Sequence, residues 1–238
     1  LDLEMSFVDR DAVLGIMERY AQALWRDVVG VELPAFPRMT YREAMDRYGS
    51  DRPDLRYGLE LVEVSDIVAE SEFKVFSSAL KKPRGTVRAI RVPGGAEKLT
   101  RKITDGYSEF VKQFGAGGVP TSKWVGGKFE AGVGKFIEPI AARLAERLGL
   151  EEGDQVFFGA DTYAVCQRAL GELRQKIASD LGLIPDDAWA FVWVVDFPMF
   201  EHDAETNRYY ALHHPFTAPN PDQVEAFVAA DKRDVDAV

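Results

Sequence analysis

Hydrophobic and polar positions alternate strictly from Leu1 to Phe7: Leu1, Leu3, Met5 and Phe7 fall on one face, and Asp2, Glu4 and Ser6 on the other. Period two is the mark of a half-buried strand, because successive Cβ atoms point to opposite faces of the pleat. The period then lengthens. Val13, Ile16, Met17, Tyr20, Leu24 and Val28 recur every three or four residues behind Asp9, which predicts a capped helix closed by Gly30. Thr40 and Glu43 make a T-x-x-E capping box for a short helix ending at Gly49, and the turn-rich run GSDRPDLR follows through Arg56.

From Phe73 short apolar runs separated by glycine turns predict strands at FKVF (73–76) and VRAIRV (87–92). Helical spacing predicts helices over Thr100 to Phe114, Lys135 to Leu148 and Asp161 to Leu181, with a strand at DQVFF (154–158). The glycine run Gly115 to Gly118 follows a helix and lacks the Lys-Ser/Thr of a phosphate loop, so it reads as a helix stop. Beyond Asp186 the run AFVWVVDFPMF (190–200) suits a central strand, and RYYALHH (208–214) a second, the two forming a long antiparallel hairpin. A further helix is expected after the proline-marked loop at 219–221. Three segments emerge, 1–72, 73–185 and 186–238, in a mixed order that predicts an α+β fold.

Composition adds bounds. With 46% hydrophobic and 29% charged residues in 238, the chain has enough apolar material for one large core or two ordinary ones. The longest wholly apolar run, Ala188 to Val195, is far too short to span a bilayer, so a soluble, cytoplasmic protein is expected. A single cysteine, Cys166, excludes an internal disulfide and sits in a helical pattern that suits a small buried residue. The net charge of −10 is unevenly spread: Phe73 to Lys128 holds twelve Lys and Arg against three acidic residues. A basic module in an acidic chain suits a local polyanion contact, although a solvated basic face has the same composition. The chain opens inside a strand pattern without a starting methionine and stops inside a helical one, which points to part of a longer protein.

Six strings, in order along the chain, resemble the bacterial-type aspartyl-tRNA synthetases: LDLEMSF from Leu1, FPRMTYREAMDRYGSDRPDLR from Phe36, RVPGGAEKLTRK from Arg91, FFGAD from Phe157, WVVDFPMFE from Trp193 and ALHHPFT from Ala211. The resemblance implies that the two acidic flanks (1–72 and 186–238) are parts of an antiparallel class II catalytic domain. It also implies that the basic middle (73–185) is the insertion module called the GAD domain. The implied reaction joins L-aspartate to ATP, with magnesium, and passes the aspartyl group to tRNA; a homodimer is implied as well. The family's motif 2 arginine, motif 3 arginine, metal-binding acids and anticodon-binding barrel have no counterpart here, so no catalytic or metal-binding residue is expected within this chain.

The resemblance also assigns residues. Asp2 falls where the family places a group near the substrate ammonium, and Glu4 shares its face. His213 corresponds to a histidine that approaches the bound aspartate, where imidazole can donate to carboxylate; His214, before Pro215, supports the loop. Asp196, alone in an apolar strand, calls for a structural hydrogen bond. Lys81, Lys82, Arg84 and Arg88 are the expected contacts to the tRNA backbone. Two rival readings are a noncatalytic RNA-binding insertion unit with synthetase flanks, and a hydrolase built on the histidine pair and Asp196. The hydrolase needs a nucleophile beside the histidines, and no serine or cysteine motif supplies one.

Overall fold

The computed structural model describes residues 3–203, 206, 208–212 and 217–229. Its elements in chain order are α1 (Arg10–Leu24), β1 (Arg38–Thr40), α2 (Tyr41–Tyr48), β2 (Leu61–Glu63), α3 (Ser65–Val68), α4 (Lys74–Leu80), β3 (Gly85–Val92), α5 (Gly95–Lys98) and α6 (Arg101–Phe110). There follow β4 (Thr121–Val125), β5 (Lys128–Glu130), α7 (Gly134–Ile137), α8 (Ala141–Leu148), β6 (Asp154–Thr162), α9 (Tyr163–Asp180), β7 (Trp193–Val195), β8 (Phe200–Asp203), β9 (Arg208–Ala211) and α10 (Val224–Ala229). No described helix is long and apolar enough to cross a membrane.

Strands β3 and β6 run antiparallel along their whole lengths and form the spine of a five-stranded sheet of order β2-β3-β6-β4-β5. Val87, Ala89, Val156 and Phe158 face one helical layer, built from Ile67 of α3, Phe76 of α4 and Leu144 of α8. Ile90, Val92 and Phe157 face the other, built from Tyr107 of α6 and Leu170, Leu173 and Ile177 of α9. Covering both faces explains why VRAIRV and DQVFF read as nearly continuous apolar runs rather than alternating ones. The sheet and its two layers are thus α+β, with all four strand pairings antiparallel.

The flanking segments contribute α1, α2 and the parallel pair β1 and β7. Asp9 caps α1 by accepting from the Ala12 amide at 2.8 Å, and Thr40 caps α2 by accepting from the Glu43 amide at 3.1 Å. Helix α2 ends at Gly49, whose φ of 66° is left-handed, and there it presses on α9. A Cβ on Gly49 would overlap the Gln167 carbonyl, and one on Gly171 would overlap the Gly49 carbonyl, so the two backbones meet with no side chain between them. Around that contact Arg174 of α9 is 1% exposed and donates to the carbonyls of Asp54 (2.7 Å), Tyr57 (3.0 Å) and Gly58 (3.0 Å) and to the Tyr57 hydroxyl (3.1 Å). Its guanidinium also lies over the Tyr48 and Tyr57 rings, 4.8 and 4.1 Å from their centroids. Residues 54–58, the end of the SDRPDLR turn and the two residues after it, are therefore wrapped around one buried cation.

Five expectations need correction. Residues 3–7 are not a strand: Leu3 and Phe7 are exposed, and among the described residues no strand lies beside them to complete a ladder. FKVF opens a helix rather than forming a strand, because Phe76 and Ala79 are buried at a three-residue interval while Val75 is exposed. The long hairpin breaks at Asp196, which has φ 57°, two residues before Pro198. Consequently β7 pairs in parallel with β1, against the all-antiparallel pairing expected of the flanks, and only the shorter β8 and β9 form an antiparallel hairpin. The helix expected over Lys135 to Leu148 is interrupted at Pro139 by a 3₁₀ turn, Glu138–Ile140. The sheet also reaches upstream of residue 73, since β2 pairs with β3 and α3 packs into the same core.

Replacing Gly171 by Ala drives a methyl group into the Gly49 carbonyl, and the unfolding free energy is expected to fall by about 1–3 kcal/mol. Gly106→Ala, on α6 with open space around its Cα, is expected to stabilise by up to about 1 kcal/mol. Urea unfolding of the two variants checks both, and a neutral Gly171→Ala would mean that the α2–α9 approach is wrong.

Candidate functional site

The described part of the flanks forms a scaffold held by a few charged side chains. Glu18 of α1 accepts from the Phe36 amide and from the Trp193 indole N–H, both at 3.0 Å, tying the helix to β7 and to the chain just before β1. The Phe36 amide, and after it the Trp193 indole, hold its carboxyl below the usual range. Arg38 of β1 donates to Asp11 at 2.9 Å, and Arg10 donates to Asp196 at 2.9 Å. Asp196 thus has the structural partner expected of it, at the end of β7 where the chain turns, with a second donor in Asn220 at 3.3 Å.

Of the residues expected to bind aspartate, Asp2, His213 and His214 lie outside the described residues. Glu4 is described, and its side chain is exposed. No group of three or more Asp, Glu, His or Cys side chains able to hold a metal occurs among the described residues.

The four basic candidates divide by burial. Lys81 is exposed at the end of α4, and Arg84 is exposed in the following turn with φ 50°. Lys82 is exposed too, but its ammonium donates to Asp161 at 2.6 Å. Arg88 requires correction: it is 8% exposed, in the middle of β3, and cannot face a nucleic acid. It donates to the Asp46 carbonyl (2.7 Å) and carboxylate (2.8 Å) and lies 3.0 Å from Glu63. Asp46 also accepts from the Tyr163 hydroxyl at 2.9 Å, and burial, followed by that bond, pushes the Tyr163 phenol up to about 12. The alternation of β3 turns Arg88 towards α2 as it turns Ile90 towards α9; the VRAIRV pattern itself carried that signal.

Sequence reasoning also missed Arg174. The available signal was its place four residues after Leu170 and three before Ile177, on the apolar face of α9, where an arginine needs buried acceptors. Cys166 lies on that helix, 1% exposed, and burial pushes its thiol up to about 12, so it packs as a small apolar residue rather than reacting. Gly115 ends the 3₁₀ turn after α6 with φ 90°, the helix stop expected. Beyond it a cleft of about 640 Å³ opens between α4 and the 117–121 loop.

Arg88→Ala is expected to lower stability by about 1–3 kcal/mol, because Asp46 loses its charge-assisted partner. Lys81→Ala, on the surface, should stay within about 0.5 kcal/mol. Equal losses in thermal or urea unfolding would overturn this division of the basic residues.

Comparison with known proteins places this geometry. Residues 1–238 match the family described as tRNA synthetases class II (D, K and N). The chain is similar to an aspartate–tRNA ligase of Halalkalibacterium halodurans, with 44% identity over 226 residues. That alignment takes in 94% of this chain and 38% of the relative, so the chain spans well under half the length of the curated relative it matches.

Proposed function

The chain belongs to the class II tRNA synthetases (D, K and N), and from that premise we propose that it is part of an aspartate–tRNA ligase. The observation that carries the proposal is the 44% identity to an aspartate–tRNA ligase across 94% of the chain. In the reaction a carboxylate oxygen of L-aspartate attacks the α-phosphorus of ATP, the bond to the bridging oxygen breaks, and pyrophosphate leaves. A hydroxyl of the terminal adenosine of tRNA then attacks the aspartyl carbonyl carbon, and AMP leaves. Both steps depend on positioning and on neutralising charge.

In this reading Asp2 faces the substrate ammonium and His213 its carboxylate, while Glu4 and His214 support them. Oppositely charged or donating groups at the two ends of a zwitterion fix its orientation as well as its affinity. The sheet built around β3 and β6 is the GAD-type insertion, held between the flanks of the catalytic domain, and its exposed cations Lys81, Lys82 and Arg84 face tRNA. Magnesium accompanies ATP, and among the described residues no group of three or more Asp, Glu, His or Cys side chains converges to hold it. The enzyme acts as a homodimer in the cytoplasm.

The complete gene product is expected to catalyse aspartate-dependent exchange of pyrophosphate into ATP, with no exchange on lysine or asparagine. His213→Ala should raise the KM for aspartate at least about tenfold, the loss of one charge-assisted hydrogen bond, and leave the KM for ATP unchanged. Exchange on lysine or asparagine instead of aspartate would refute the assignment, and an unchanged aspartate KM would refute the role of His213.

A further inference from the structure

We infer that the cleft between α4 and the 117–121 loop takes one unpaired nucleotide of an RNA strand, with the base on its apolar floor and the phosphate at Lys74. The identity of the strand as RNA rests on the tRNA reading above; the cleft and its chemistry do not.

At about 640 Å³ the cleft falls within the usual range for small organic ligands, about 300–1,000 Å³, and has room for a base and its sugar. Its floor is Phe73, Val75, Ala79, Val119, Val133 and Ala160, a surface on which a flat ring loses water without losing hydrogen bonds. Phe73 is half-buried, and its ring packs 4.9 Å from Phe76 and 5.1 Å from Phe136, so it is a fixed aromatic wall rather than a mobile one. The lining carries two cations, Lys74 and Lys82, and one acid, Asp161. Lys74 is exposed, and among the described residues it has no acidic partner.

The one acid on the lining, Asp161, is already neutralised: it accepts from Lys82 at 2.6 Å and from the Thr162 amide at 2.7 Å. Ser108 accepts from the Val119 amide at 3.2 Å, which leaves its hydroxyl proton to donate into the cleft. An aromatic wall with an unpaired cation at the rim and few fixed polar groups is how sequence-tolerant sites hold a single strand. A base inside a duplex cannot reach a concave floor, whereas a splayed base can. The exposed cations Lys74 and Lys81 of α4 and its end, with Lys82 and Arg84 just beyond, favour the approach of a polyanion to this edge of the cleft.

The test is fluorescence anisotropy on the complete gene product with a labelled six-nucleotide single-stranded RNA, the same sequence as a duplex, and AMP as competitor. Ser78→Trp fills the cleft from an exposed position on α4, and Lys74→Glu reverses the rim charge. Each should weaken single-strand binding about tenfold or more, and Lys74→Glu should also reduce the slope of log K against log salt by about 0.7. Lys98→Glu, exposed on α5 and outside the cleft, should change binding less than twofold. Unchanged binding in both cleft variants, equal effects from Lys98→Glu, or a duplex binding as well as the single strand would overturn the proposal. AMP competing as strongly as the oligonucleotide would overturn the RNA source. Aspartate charging, measured in parallel on the unmutated protein, reports on the ligase reading alone, because loss of charging leaves oligonucleotide binding intact.

Discussion

A guanidinium removed from water must find its acceptors inside the protein, and the acceptors that Arg174 finds are the backbone carbonyls of Asp54, Tyr57 and Gly58. Burial pulls the Arg174 pKa down, and the neighbouring Tyr57, Tyr48, Asp54 and Glu60 push it back. The constraint acts in both directions. The cation is tolerable in the core while residues 54–58 wrap it, and the cation in turn adds to the turn's own Arg56–Asp54 bonds in fixing the path of those residues. Because the turn lies between α2 and β2, fixing it fixes the path by which the flank enters the sheet. Beside it, the direct Gly49–Gly171 contact and the Asp46–Arg88–Tyr163 cluster complete a seam of fixed distances.

That seam changes how the basic middle segment is understood. Some of its cations serve the fold: Arg88 faces Asp46, and Arg91 donates to Asp154 at 2.6 Å, where the carboxylate is almost wholly buried. Others remain at the surface around α4 and the adjoining cleft. A count of charges along a sequence cannot separate the two sets, because the separation depends on which way each strand residue points. The same seam joins the flanks to the sheet through packed backbone rather than a flexible linker, so whatever meets the sheet module is held at a set distance from α2 and the β1–β7 pair.

Much of the architecture was legible from residue patterns. The capped helices behind Asp9 and Thr40, the stops at Gly49 and Gly115, and the strands VRAIRV and DQVFF follow from local chemistry, and they occur where that chemistry requires. Local pattern failed where a distant partner decides. FKVF has the composition of a strand, yet the interval from Phe76 to Ala79 is helical and the core beneath α4 selects it. AFVWVVDFPMF looks like one strand until Asp196 turns out to be held by Arg10, nearly the whole chain away in sequence. Glu18 is polar on a half-buried helix face for the same kind of reason, since it joins Phe36 to Trp193. For the aspartate site, the resemblance supplied roles for Asp2 and His213, which lie outside the described residues.

The rigid seam between flank and sheet is tested most directly by native-state hydrogen exchange of the amides of α2, β3 and α9, with and without Arg174→Met. If the seam is one cooperative unit, the α2 amides exchange with the same opening free energy as the core of α9, and all three elements lose protection together in the variant. Exchange of α2 at a much lower free energy than α9, unaffected by Arg174→Met, would show that the flank opens independently of the sheet and would contradict the seam.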